Sequence, residues 1–114
     1  MPLDVVRRLL GPLREPIVTS HYPAVPPLLQ TASRGLPELD PVRCDRYGAC
    51  VVACPTGAIG LDDAGWSIDA GRCVFCNACA AACPNAAIRL GSVVELAGRD
   101  RDSLIHRTPL ERRP

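Results

Sequence analysis

Lysine is missing from this 114-residue sequence, and all 13 basic residues are arginine. Both side chains serve as surface cations, so the absence reads as composition bias and excludes no function. An excess of one charge is missing as well, since 12 acidic residues leave a formal net charge of +1. That removes the signature of a nucleic-acid binder and of a chain built for a strongly acidic partner. No apolar run is long enough to cross a bilayer. No cationic, apolar leader opens the sequence. These two absences set the expectation of a reducing, cytoplasmic compartment, where disulfides are disfavoured and clustered cysteines more often hold metal.

Cysteine is what the chain has in excess. Seven in so short a sequence is an odd number that fits a closed disulfide framework badly. A core this small seldom supplies much stability alone, so a staple is expected. The 12 prolines fall mostly outside the cysteine region and predict extended, weakly regular segments there.

Three zones follow. Residues 1–39 lack cysteine and are rich in proline and aliphatics, residues 40–91 contain every cysteine, and residues 92–114 mix arginine with acids as a weakly structured tail. The middle zone is an internal repeat. A shift of 29 residues carries Cys44, Cys50 and Cys54 onto Cys73, Cys79 and Cys83, Pro55 onto Pro84, and Ile59 onto Ile88. The lead-ins "DPVRC" and "DAGRC" align too. Each half reads as a short strand, a cysteine loop, a brief helix ("GACVVAC" or "NACAAAC") and a closing strand ("AIGL" or "AIRL"). Between the halves, a turn at Ala64–Gly65 precedes a strand holding Trp66 and Ile68. Two such halves predict a small α+β unit with pseudo-two-fold symmetry.

The opening residues pattern as a short amphipathic helix. Leu3, Val5, Val6, Leu9, Leu10 and Leu13 share one arc, with Asp4, Arg7, Arg8 and Arg14 opposite. Gly11–Pro12 stops it after about two turns, too short to stand alone in water. It packs either on its own domain or on a partner subunit or membrane surface, and the pattern favours neither. The following segment, from Glu15 to Pro41, reads as an extended arm for another protein, or else as flexible linker.

"CVFCNACAAACP", from Cys73, is the C-x2-C-x2-C-x3-C-P run of bacterial iron–sulfur proteins. Three thiolates two residues apart wrap one cubane, and the fourth cysteine, on the following helix, serves the other cluster. Cys54, Cys73, Cys76 and Cys79 therefore form a complete set for a [4Fe–4S] cluster. Cys44, Cys50 and Cys83 form a second set that is one ligand short, because Tyr47 stands where Cys76 stands in the other copy. A phenol is long, hard and ordinarily protonated at neutral pH. Three thiolates are the number a [3Fe–4S] cluster uses, and that reading leads. A four-iron cluster with an oxygen ligand at the open corner comes second, and an empty site of buried cysteines third. A zinc site would pair two distant C-x2-C units, which is not this spacing. Cysteine catalysis lacks a base, since His21 and His106 lie in the flanks and read as surface or docking residues.

These features resemble two-cluster ferredoxins of the bacterial type. With "TSHYPAVPPL", "RGLPELDPVRC", "GWSIDAGRCVFCNACAAACPNAAIRL" and "VELAGRDRDSL", the chain from about residue 19 to 105 is similar to the ferredoxin-like subunit of group 4 [NiFe] hydrogenases, including formate hydrogenlyase subunit 6, and to the eight-iron subunit of complex I. The resemblance implies a two-cluster ferredoxin-like fold with an N-terminal arm and C-terminal tail. It implies a subunit with no catalysis of its own that relays electrons between iron–sulfur clusters of neighbouring subunits, held peripherally at the cytoplasmic face of the membrane through those partners. Tyr47 departs from the family pattern. The competing reading is a free, soluble seven-iron ferredoxin, which leaves some sixty flanking residues without a role. A structural or assembly protein with one working cluster is a third. Val74 and Phe75 read as core packing or as shields over one cluster, and Trp66 as packing.

Overall fold

In the computed structural model of the chain, residues 2–13, 16 and 19–111 are described; Arg14, other arm residues at 15, 17 and 18, and the terminal 112–114 lie outside them. Helix α1 spans Pro2–Leu10 and is followed by a 3-10 turn over Gly11–Leu13. Gly11 and Pro12 thus end the α-helix where the sequence predicts, because proline removes a backbone donor and clashes with the preceding turn. The apolar arc stays largely exposed: Leu3, Leu9 and Leu13 are 81%, 70% and 80% exposed.

The segment from residue 19 to 36 carries turns but no helix or strand. It joins the rest of the chain at its C-terminal end. The Gly35 N–H donates to the Gly91 carbonyl at 3.1 Å, and the Leu36 N–H donates to that of Val93 at 2.8 Å. The backbones approach so closely that a Cβ at Gly35 would strike the Gly91 carbonyl. Strand β1, Pro37–Leu39, then pairs antiparallel with β4, Ile88–Leu90.

Strands β2, Ile59–Asp62, and β3, Gly65–Asp69, form a hairpin whose two-residue turn is Asp63–Ala64, one position earlier than the sequence suggests. The Asp62 carboxylate sets it, accepting from the Ala64 and Gly65 N–H groups at 2.9 and 3.0 Å. Short helices α2, Ala49–Ala53, and α3, Ala78–Ala82, follow the two cysteine loops. A fifth strand, β5, Ile105–Pro109, pairs antiparallel with β3, making β3 the centre of a three-stranded sheet.

That strand is the main difference from the sequence reading. The region expected to be a weakly structured tail completes a sheet, and the sheets use residues on both sides of the expected 40–91 unit. Periodicity over five residues is too short to announce such an edge, and the pairing joins residues about forty positions apart. Arg46 fastens the end of this segment, donating to the carbonyls of Leu110 (3.4 Å) and Asp62.

The cysteine loops are alike in backbone as well as in sequence. The residues preceding α2 and α3, Gly48 and Asn77, are both left-handed, with φ of 81° and 70°. Arg46 and Phe75 also have positive φ, 61° and 54°, as do Gly57 and Ala86, 62° and 49°. Asp40 and Asp69 each cap their turn through a 2.9 Å bond from the N–H two residues on. Each also pairs with the arginine three residues on, Arg43 or Arg72, at 3.6 Å. All these pairs stand 29 residues apart in the chain. The buried core between them is small: Leu36, Leu39, Ile59, Trp66, Ile68, Ile88 and Leu110 with a few alanines and Cys79.

Candidate metal centre

The fold gathers the seven cysteines around two cavities. One is lined by Cys54, Cys73, Cys76 and Cys79 together with Ile59, Ile68 and Pro37. The other is lined by Cys44, Cys50 and Cys83 together with Asp45, Tyr47, Leu39 and Ile88. Cys54 and Cys83 end their helices in extended conformation, with φ/ψ of −72°/115° and −75°/116°. Each side chain thereby leaves its own loop and joins the other loop's cavity. Asn85 ties the halves together at the second cavity, donating to the Arg43 carbonyl at 3.2 Å.

The sulfurs already have backbone donors. The Ala58 N–H reaches Cys54 Sγ and the Ala87 N–H reaches Cys83 Sγ, both at 3.3 Å, and the Phe75 N–H reaches Cys73 Sγ at 3.4 Å. Loops with left-handed residues gather N–H groups around an anion, which is what a ring of thiolates around an iron–sulfur core requires. Burial pushes the Cys50, Cys73 and Cys79 thiols above their ordinary pKa. Burial acts on Cys54 in the same direction, but the Ala58 N–H, the Thr56 hydroxyl and further backbone donors outweigh it and hold that thiol low. Metal takes the place of the proton on each of these sulfurs, so loading expels protons to solvent.

Tyr47 borders the second cavity but is 76% exposed. Its backbone N–H is bonded to the Asp45 carboxylate at 3.2 Å. The equivalent Cys76 is exposed too, so this position is the rim of each cavity. The donor set, thiols on largely apolar walls with backbone N–H groups at three of the sulfurs, fits an iron–sulfur cluster.

Of the other residues singled out in the sequence, His106 and Val74 sit differently from that reading, and His21, Phe75 and Trp66 agree with it. His106 is on β5, partly buried, with its Nε2 buried and unpartnered, and is not a surface residue. His21 is exposed. Phe75 packs against the core, whereas Val74 is 59% exposed at the first cavity. Trp66 is buried in the core with its indole nitrogen unpartnered, a feature that no local pattern signals.

Residues 42–87 match the sequence family described as a 4Fe-4S dicluster domain. No curated protein matches the sequence. Among solved structures, a chain of the membrane-bound sulfane sulfur reductase, an archaeal respiratory membrane complex, is similar with a TM-score of 0.63 and 27% identity. The match covers 84% of this chain but only 55% of the other, so this chain spans about half the length of that one. No helix among the described residues is long and apolar enough to cross a membrane. The cysteine-bearing part is thus similar to dicluster iron–sulfur domains, for which a [4Fe–4S] cofactor is the matching group, and the chain as a whole is similar to a component of a respiratory membrane complex.

Proposed function

We propose that this chain is an electron-transfer subunit, without catalysis of its own, that relays electrons between iron–sulfur centres of neighbouring subunits in a membrane-associated oxidoreductase assembly of the hydrogenase or complex I-like kind. The observation that carries the reading is the pair of cysteine-lined cavities inside one small domain. Cys54, Cys73, Cys76 and Cys79 hold a [4Fe–4S] cluster. Cys44, Cys50 and Cys83 hold a second, of [3Fe–4S] type, because Tyr47 keeps its ring largely in solvent at the place of the fourth ligand. When bound, the clusters supply one-electron carriers. The protein's part is to fix them, to exclude water with Ile59, Ile68, Leu39 and Ile88, and to direct N–H groups at the cysteine sulfurs, the levers that set potential. The repeated dihedral angles support an approximate two-fold relation between the halves.

The exposed apolar face of α1 and the long arm support docking on partner subunits, with membrane association through them at the cytoplasmic face. Residues 1–39 then serve as docking arm, 40–91 as the cluster-bearing unit and 92–114 as a tail whose strand closes the sheet.

The test is anaerobic purification from the host, with iron and sulfide quantitation and EPR. Seven irons and two signals, in a stable large complex, are expected. A free monomer overturns the subunit role in favour of a soluble carrier, and four irons with one signal overturn the second cluster. Cys54→Ser should abolish the [4Fe–4S] signal and spare the other, although Cys54 lies in the first motif, and Cys83→Ser should do the reverse.

A further inference from the structure

Arg46 stands two residues after Cys44, between Asp45 and Tyr47, and both of those neighbours line the second cavity. Its backbone is left-handed, with φ of 61°. A residue other than glycine is strained there, and the strain persists where the surrounding structure fixes it. The side chain supplies a fixing. Its guanidinium donates to the Leu110 carbonyl at 3.4 Å and to the Asp62 carbonyl. Asp62 ends β2 and Leu110 follows β5, the two edge strands of the three-stranded sheet. One side chain therefore ties the cysteine loop to both edges. A second feature joins the same parts: Pro41 and Val42, on the approach to Cys44, line one cleft with Pro109 and Glu111.

The repeat shows that the first loop is anchored by other means. The counterpart of Arg46, 29 residues on, is Phe75, with φ of 54°. Phe75 has no side-chain donor and packs against the core. The approach to that loop is held at the other end of the C-terminal segment, where the Ala70 N–H donates to the Leu104 carbonyl at 2.9 Å and Arg101 pairs with Asp69 at 3.1 Å. Neither contact uses Arg46. The same backbone shape thus rests on apolar packing in one loop and on hydrogen bonds from an ionised donor in the other, the stronger kind of hydrogen bond.

We propose that Arg46 is a positioning residue for the second cluster: its bonds to the Asp62 and Leu110 carbonyls hold the loop of residues 44–50 in its cluster-binding shape and make retention of that cluster depend on the C-terminal strand. This rests on the second cavity holding a cluster. The first cluster does not share the dependence, because Phe75 anchors its loop in the core.

The experiment follows both EPR signals of the anaerobic holoprotein, in oxidised and reduced samples, after addition of an iron chelator. Wild type is compared with Arg46→Met, which keeps the long apolar stem and removes every donor. We expect the second cluster to be lost about tenfold faster in Arg46→Met, the size of effect that one hydrogen bond from a charged group has, with the first cluster lost at the wild-type rate. Arg46→Lys keeps the charge, but a single ammonium does not span two carbonyls as the planar guanidinium fork does, so its rate should fall between the two. A wild-type rate of second-cluster loss in either variant, or equal acceleration at both clusters, overturns the role of Arg46. Should Arg46→Met fail to fold, Arg46→Lys decides by the same comparison. A wild-type protein with four irons and one signal overturns the two-cluster reading itself, and this proposal with it.

Discussion

The character of the second site turns on single residues. Tyr47 occupies the rim position that Cys76 occupies in the first site, and the loops around the two share their left-handed turns. The backbone is therefore already shaped for a thiolate at residue 47. On the proposed cluster assignment, we expect Tyr47→Cys to raise the iron content from about seven to about eight per chain, and to replace a three-iron EPR signal with a second four-iron one. An unchanged three-iron signal would show that something other than the side chain bars the fourth iron. The cysteine loops were legible from spacing, because cysteines separated by two residues are a local object. The burial of the Trp66 indole nitrogen was not, because what an indole faces depends on which strand lies beneath it.

Among the elements, the arm is held by a few contacts near its root. Further out, hydrogen bonding to the Glu95 carboxylate raises the Tyr22 phenol pKa above the ordinary 10.0, with slight burial and the carboxylate charge adding to the effect. The pKa is higher in the folded state than in the unfolded one, so this contribution is present below pH 10 and is lost as pH rises through the raised value. In a tyrosinate absorbance titration, Glu95→Gln should shift the Tyr22 ionisation back toward 10.0. A titration curve that Glu95→Gln leaves unchanged would rule this effect out. The exposed pair of Arg89 and Glu38 across β1 and β4, at 2.9 Å, is worth little as well, since solvent screens it. The cysteine helices and closing strands were readable from the repeat. β5 was not, because its reason to exist is the open edge of β3, which only the folded hairpin presents.

At the scale of the molecule, the chain measures 80 × 28 × 25 Å with a radius of gyration of 21.4 Å, against about 13 Å for a compact domain of roughly 100 residues. The excess length is arm and α1, with Leu28 fully exposed as well. What remains to hold the domain is a small core in which Ile68, on the central strand, is 1% exposed and also forms the wall of the first cavity. We expect Ile68→Ala to cost about 2–5 kcal/mol, a large share of a stability of about 5–15 kcal/mol, measured by anaerobic denaturant melts of the holoprotein. A loss below 1 kcal/mol would mean that the metal centres, rather than the apolar core, carry the fold.

The sequence by itself pointed to the kind of chemistry, since thiol spacing and a repeat at a fixed offset are properties of neighbouring residues. It also determined where α1 stops, because Gly11 and Pro12 act on their own turn. Only the tertiary structure decided that residues 105–109 close the sheet and that Arg46 donates to the carbonyls of Asp62 and Leu110. Each of those contacts joins residues well apart in the chain, and pairs at such separation leave no periodic mark in the sequence. They exist because folding presents an unpaired strand edge and unpaired carbonyls to whatever the chain brings beside them.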